Sequence, residues 1–119
     1  MRNILLVGTG GFLGSILRYV FYLFYKAHQF PLATFTVNII GSLLIGVIMA
    51  YIIKFNLIND WKLFLVTGIC GGFTTFSALS WEFFQLFHEQ KYFIAFGYVL
   101  VSLFIGFLAT FIGYFMINK

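Results

Sequence analysis

The sequence contains very few charged residues, and this scarcity decides the class of protein. Only 8% of the 119 residues are Asp, Glu, Lys or Arg, whereas 62% are hydrophobic. A soluble globular domain carries about a quarter charged residues. The composition therefore excludes a soluble domain and predicts an all-α membrane protein.

Residues that support covalent, metal or nucleic-acid chemistry are also scarce. The single cysteine, Cys70, lies within an apolar run and cannot form an intrachain disulfide, and both histidines, His28 and His88, lie in connectors. Without a Cys/His cluster or paired carboxylates, an enzyme is not expected. The net charge is +4, but the basic residues are scattered among connectors and ends, so no nucleic-acid surface is expected either.

Four apolar runs take up almost the whole chain, over about residues 4–25, 32–53, 63–87 and 92–117. Each is near the ~20 residues that a helix needs to cross a bilayer. The connectors are short, and the first run has no cleavage-site pattern, so it is expected to be retained. The sequence therefore predicts a single four-helix transmembrane domain over residues 1–119, with its function inside the membrane.

The basic residues predict only a weak preference for one orientation. With four spans, one face holds Arg2, Lys54, Lys62 and Lys119, and the other holds Lys26 and Lys91. Since basic residues favour the cytoplasmic side, the termini are expected there, but a dual orientation stays open.

The third run contains the least regular stretch, GICGGFTTFSALSWE at residues 68–82. Its three glycines each weaken a helix by about 1 kcal/mol relative to alanine. Its hydroxyl side chains compete for the freed backbone groups. We therefore predict a glycine-broken third helix whose irregular backbone is buried in protein or lines a cavity. A flexible kink that serves only packing is the alternative.

Polar residues inside the runs form a second pattern. Arg18 and Glu82 lie at similar depth, where they form a structural ion pair or an ion-attracting vestibule, or Arg18 snorkels and anchors a helix end. Polar and small residues recur every fourth position on two runs, namely Thr34, Asn38, Ser42 and Gly46, and Tyr98, Ser102, Gly106, Thr110 and Tyr114. Such stripes are typical of helix packing. Convergence of several of these residues at one depth favours a solute path.

Four segments resemble a known family, the small four-span fluoride channels called Fluc or CrcB. They are GGFLGSILRY at residues 10–19, TFTVNIIGSLLIG at 34–46, the stretch at 68–82, and Tyr98 with Ser102. The resemblance covers nearly the whole chain, and the GGxTTFS core is its most specific part.

The resemblance implies an antiparallel dimer that encloses two fluoride pores and passively exports fluoride across the inner membrane of a prokaryote. It implies a structural Na⁺ at the dimer centre, held by the backbone carbonyls of Gly71 and Thr74. Arg18 and Glu82 match charged residues of the family. The implied fluoride path comprises Asn38, Phe76, Tyr98 and Ser102, together with the hydroxyls of Thr75 and Ser77.

The sequence departs from the family pattern at Leu79, where a second phenylalanine is expected, and at Gly106, where a serine or threonine is expected. One hypothesis is that the chain is a partner subunit in a heteromeric fluoride channel, with the missing ring supplied by a different subunit. A small multidrug-resistance-type exporter is the alternative from another class, although such proteins need a carboxylate in the first span. A scaffold that transports nothing is the third option.

Overall fold

The computed structural model describes residues 1–25 and 31–118, and the regular elements in these ranges are helices. In chain order they are α1 (Arg2–Phe24), α2 (Leu32–Lys54), α3 (Asn59–Trp61), a π-helix (Lys62–Cys70), α4 (Gly71–Phe73), α5 (Phe76–His88) and α6 (Tyr92–Ile117). Lys26, His28 and Lys119 lie outside the described residues.

The described residues contain four helical segments long and apolar enough to cross a membrane. They are α1, α2, the run Asn59–His88 and α6. The prediction of an all-helical, multi-pass membrane protein is confirmed. The third span begins at Asn59, four residues before the expected start, because α3 and the π-helix continue into one another.

Two side-chain contacts gather the ends of several helices at one end of the bundle. Arg2 at the start of α1 pairs with Asp60 in α3. Lys54 at the end of α2 donates from Nζ to the Ile117 carbonyl at 2.7 Å, and so satisfies a backbone group at the end of α6. The N-terminus, the connector after α2 and the C-terminal end of α6 therefore share one face, as the sequence predicts.

Glycine permits the closest helix contacts. A Cβ on Gly10 would overlap the Phe64 carbonyl oxygen and lie 2.9 Å from the Gly68 Cα, so α1 and the π-helix meet backbone to backbone. A Cβ on Gly46 would overlap the Thr110 carbonyl oxygen, which gives the same close approach between α2 and α6. Small residues at four-residue spacing are typical of this packing in membranes.

Helices α2 and α6 run parallel in a regular register. Ser42 lies opposite Gly106, and Gly46 lies opposite Thr110 one turn further along. One turn earlier, Asn38 and Ser102 line the same groove. The two polar stripes seen in the sequence therefore face one another level by level.

The third span is interrupted at Thr74 and Thr75. Their ψ angles of 155° and 115° are those of extended backbone, and α5 begins directly afterwards at Phe76. The glycines before this point stay helical, and no glycine in the described ranges has a positive φ. The break therefore differs from the predicted one, because it falls on two threonines, whereas Gly68 and Gly72 pack against α1.

Candidate functional site

The interrupted backbone is held by one side chain of α2. The Thr75 N–H donates to Asn38 Oδ1 at 2.8 Å, and Asn38 Nδ2 donates back to the Thr75 carbonyl at 3.1 Å. Backbone groups that leave a helix inside a membrane need such partners, since lipid offers none. The amide of Asn38 has two N–H groups, of which this clasp uses one.

The side chain of Thr75 starts the helix that follows. Its Oγ1 accepts a hydrogen bond from the Ala78 N–H at 3.2 Å, which caps the first turn of α5. The same oxygen lies 3.1 Å from Ser77 Oγ. Thr75 is buried, whereas Ser77 is exposed on the surface of the single chain.

Arg18 also reaches the interruption. Its Nη1 donates to the Thr74 carbonyl at 3.3 Å, which joins α1 to the broken segment. The Glu82 carboxylate accepts hydrogen bonds from hydroxyl groups, and the ion pairs found among the described residues do not include an Arg18–Glu82 pair.

Glu82 is the centre of a hydroxyl network that joins four helices. Thr34 Oγ1 donates to Oε1 at 2.5 Å, and Tyr98 Oη donates to Oε2 at 2.8 Å. Tyr22 Oη lies 2.6 Å from Thr34 Oγ1 and acts as donor, because the Thr34 proton goes to the carboxylate. A membrane-embedded carboxylate is costly without partners, so this network stabilises Glu82 within the bundle.

A groove of about 290 Å³ opens beside the interruption, between α2, α5 and α6. Of the predicted path residues it brings together Asn38, Thr75, Phe76, Leu79 and Ser102, whereas Ser77 and Tyr98 are not among those that line it. The remaining lining residues are Ser42, Ile45, Thr74, Leu103, Gly106, Phe107 and Thr110. The described lining is thus uncharged and mixes hydroxyl, amide and aromatic groups.

Ser102 carries an unsatisfied polar group in this groove. The residue is 7% exposed, and its Oγ has no hydrogen-bond partner within the described part of the chain. A buried hydroxyl without a partner is destabilising by about 1–3 kcal/mol. Such a group is therefore available to a ligand or ion that enters the groove.

Phe76 and Leu79 lie on the groove with very different exposures. Phe76 is 75% exposed, so its ring stands on the surface of the single chain. Leu79 is 4% exposed and packs in a cluster with Leu86, Ala95 and Tyr98. The residue that replaces the expected second phenylalanine is therefore part of the protein core as well as of the groove wall.

The Gly71 and Thr74 carbonyls, which the resemblance implies as sodium ligands, have suitable oxygen atoms, but two oxygens are too few to hold a cation. The Thr75 N–H goes to Asn38, so the Gly71 carbonyl loses its donor four residues on, while the Thr74 carbonyl accepts from Arg18. Carbonyl oxygens suit hard cations, but two of them do not complete a coordination shell. Among the described residues no group of three His, Cys, Asp or Glu side chains could hold a metal. Further oxygen ligands would be needed beyond these two carbonyls.

Four residues belong to this site although the sequence did not assign them to it. Thr34 and Tyr22 serve Glu82, and Ser42 and Thr110 line the groove. The four-residue stripes contained Thr34, Ser42 and Thr110, but their spacing alone did not separate groove positions from packing positions. Tyr22 carried no such signal, since aromatic residues near span ends are common in membrane proteins.

Comparison with known proteins identifies the family. The model of the family described as CrcB-like protein, Camphor Resistance (CrcB), matches residues 5–114. A relative from Gloeothece citriformis is 46% identical over 127 residues, which cover 100% of this chain and 99% of the relative. One from Flavobacterium psychrophilum is 46% identical over 117 residues, covering 95% and 94%. Both are named fluoride-specific ion channel FluC. The chain therefore belongs to the CrcB family.

Proposed function

We propose that this chain is a subunit of a fluoride-selective channel that passively exports cytoplasmic fluoride and so lowers its concentration in the cell. The observation that carries the proposal is the uncharged groove with the unpartnered Ser102 hydroxyl, in a chain whose relatives are named fluoride-specific ion channels. The protein is a channel component and not an enzyme.

The groove chemistry suits fluoride for a physical reason. Fluoride is small and strongly hydrated, so a pathway must replace its water by other donors. The second N–H of Asn38 and the hydroxyl of Ser102 are such donors, and the positive edge of the Phe76 ring is another. None is a fixed charge that would trap the ion, and a narrow path excludes larger anions by size.

The working unit of the proposal is an antiparallel dimer. The groove is open on the single chain, and Phe76 stands exposed beside it, so a second subunit is needed to close the path. A structural Na⁺ between two subunits would be held by the carbonyls of Gly71 and Thr74 from each. Its charge would fix the two broken segments to one another.

The cellular setting follows from the same proposal. The protein resides in the inner membrane of a prokaryotic cell, where fluoride enters as the neutral acid and ionises in the less acidic cytoplasm. The ion then leaves through the channel down its electrochemical gradient. No step requires ATP or a covalent intermediate.

Two observations separate the proposal from its competitors. A small multidrug-resistance-type exporter needs a carboxylate free to exchange substrate and protons, whereas the Glu82 carboxylate is held by Thr34 and Tyr98. A partner subunit that does not conduct alone is the alternative motivated by Leu79. Leu79 is buried, so on α5 the exposed aromatic ring of the groove wall is that of Phe76.

Fluoride efflux from liposomes tests the function. Vesicles loaded with potassium fluoride and containing the purified chain should release fluoride on addition of valinomycin, without any proton gradient, and Ser102→Ala should release it more slowly. Ser15→Ala is the matched control, since its hydroxyl bonds to the Gly11 carbonyl on α1, away from the groove. Release that depends on a proton gradient would instead indicate an exporter.

A further inference from the structure

We propose that Ser42 on α2 supplies the hydroxyl that α6 lacks at Gly106, so that the groove keeps a donor for fluoride at this level. The inference rests on the proposed function and deepens it, because it adds a residue of another helix to the ion path.

Ser42 lies directly beside Gly106. A Cβ on Gly106 would lie 3.5 Å from Ser42 Oγ, an ordinary van der Waals distance. The Ser42 hydroxyl therefore borders the space that a side chain at position 106 would occupy. Ser42 is one turn beyond Asn38 on α2, and Gly106 is one turn beyond Ser102 on α6. Because the two helices run parallel, both steps lead in the same direction along the groove.

Ser42 and Thr110 are the two described hydroxyl residues at this level of the groove, and they differ in their hydrogen bonds. Thr110 also lines the groove, but its Oγ1 lies 3.1 Å from the Ser42 carbonyl and 3.2 Å from the Gly106 carbonyl, and its one proton goes to these acceptors. The Ser42 hydroxyl has no such bond among the described residues. Ser42 is thus the hydroxyl at this level with a proton to offer.

A second hydroxyl without a hydrogen-bond partner among the described residues lies one helical turn away, at Ser102. One turn away, the Ser102 hydroxyl is more than nine-tenths buried and has no partner within the described ranges. Two unpartnered hydroxyls from two helices thus face one uncharged groove at successive turns of about 5.4 Å. A pathway that exchanges water for donors requires such a series.

Moving the hydroxyl from one helix to the other tests the inference. In liposomes, Ser42→Ala should lower the fluoride efflux rate about tenfold, since a hydrogen bond to a charged group is lost. Ser42→Ala with Gly106→Ser should recover most of the rate, because the hydroxyl returns from α6. Ser42→Ala with Gly106→Ala should not, because it adds the Cβ alone.

Control measurements distinguish a loss of fluoride efflux from a loss of folded protein. Ser15→Ala should conduct like wild type, and each variant is accepted only with the wild-type elution volume and unfolding midpoint. If Ser42→Ala does not fold, Ser42→Cys replaces it, since a thiol is of similar size and a weak donor. Fluoride binding to the same variants is measured in detergent by calorimetry. This readout does not depend on ion conduction.

The outcomes separate this inference from the function on which it rests. Wild-type efflux with an unchanged rate in Ser42→Ala, or equal recovery by Gly106→Ala and Gly106→Ser, overturns the role of Ser42 and leaves the channel intact. Wild type that binds fluoride without conducting overturns conduction by this chain alone, and the binding series then decides on Ser42. A wild type with neither binding nor efflux overturns both.

Discussion

Asn38 and Thr75 exchange two hydrogen bonds across the interrupted third span. The amide oxygen accepts from the Thr75 N–H at 2.8 Å, and the amide nitrogen donates to the Thr75 carbonyl at 3.1 Å. The asparagine thus replaces the helical partners that this residue loses where the backbone becomes extended. One side chain holds the break in place, lines the groove and keeps one N–H that the clasp does not use.

Loss of the two hydrogen bonds between Asn38 and Thr75 should lower both the stability of the protein and the rate of fluoride efflux. Asn38→Ala leaves a buried N–H and a buried carbonyl without partners, and each such group costs about 1–3 kcal/mol. We expect a lower unfolding midpoint in detergent and a fluoride efflux rate reduced at least about tenfold. Asn3→Ala, at an exposed position near the start of α1, is the control. Equal midpoints for the two variants would contradict the clasp.

The Glu82 network predicts a graded series. Glu82→Gln places an amide NH₂ where an acceptor oxygen stood, so either Thr34 or Tyr98 loses its acceptor. We expect slower fluoride efflux and lower thermal stability in Glu82→Gln. Tyr22→Phe should have a smaller effect, because Tyr22 reaches the carboxylate only through Thr34. A larger defect in Tyr22→Phe than in Glu82→Gln would contradict this order.

Glycine substitutions in α1 should separate packing from helix propensity. A Cβ at Gly10 would overlap backbone atoms of the π-helix, whereas a Cβ at Gly8 meets nothing within 4 Å. Gly10→Ala should therefore lower the unfolding midpoint and reduce the yield of folded protein. Gly8→Ala should be neutral or stabilising by up to about 1 kcal/mol, since alanine favours helix. The same loss in both variants would contradict the packing at Gly10.

A ring introduced at Leu79 should cost stability. Leu79 is 4% exposed in a packed cluster, and overpacking a membrane or soluble core costs about 1–3 kcal/mol. Leu79→Phe should therefore unfold at a lower temperature than wild type. Leu23→Phe is the matched control, because Leu23 is 65% exposed on α1. An unchanged midpoint in Leu79→Phe would show that the groove accepts a second ring at this position.

The sequence allowed the helices to be predicted, and five of the residues that it assigned to the fluoride path line one groove. Long apolar runs separated by charged connectors mark spans, and the four-residue spacing of Asn38 with Ser42 marks one helix face. The glycines of the third span did not mark the break, because a glycine also lets two helices pack closely. Gly10 and Gly68 lie at such a close contact. The partners of Arg18 and Glu82 depend on helix rotation, which depth along a span does not give.

Selectivity between fluoride and chloride is the decisive property, and it is measured as the efflux of each anion from liposomes containing the purified wild-type chain, with valinomycin present and no proton gradient. A fluoride-selective channel should release fluoride rapidly and chloride no faster than protein-free vesicles do. Equal release of both anions, or no release of fluoride above the protein-free rate, would contradict the proposed function.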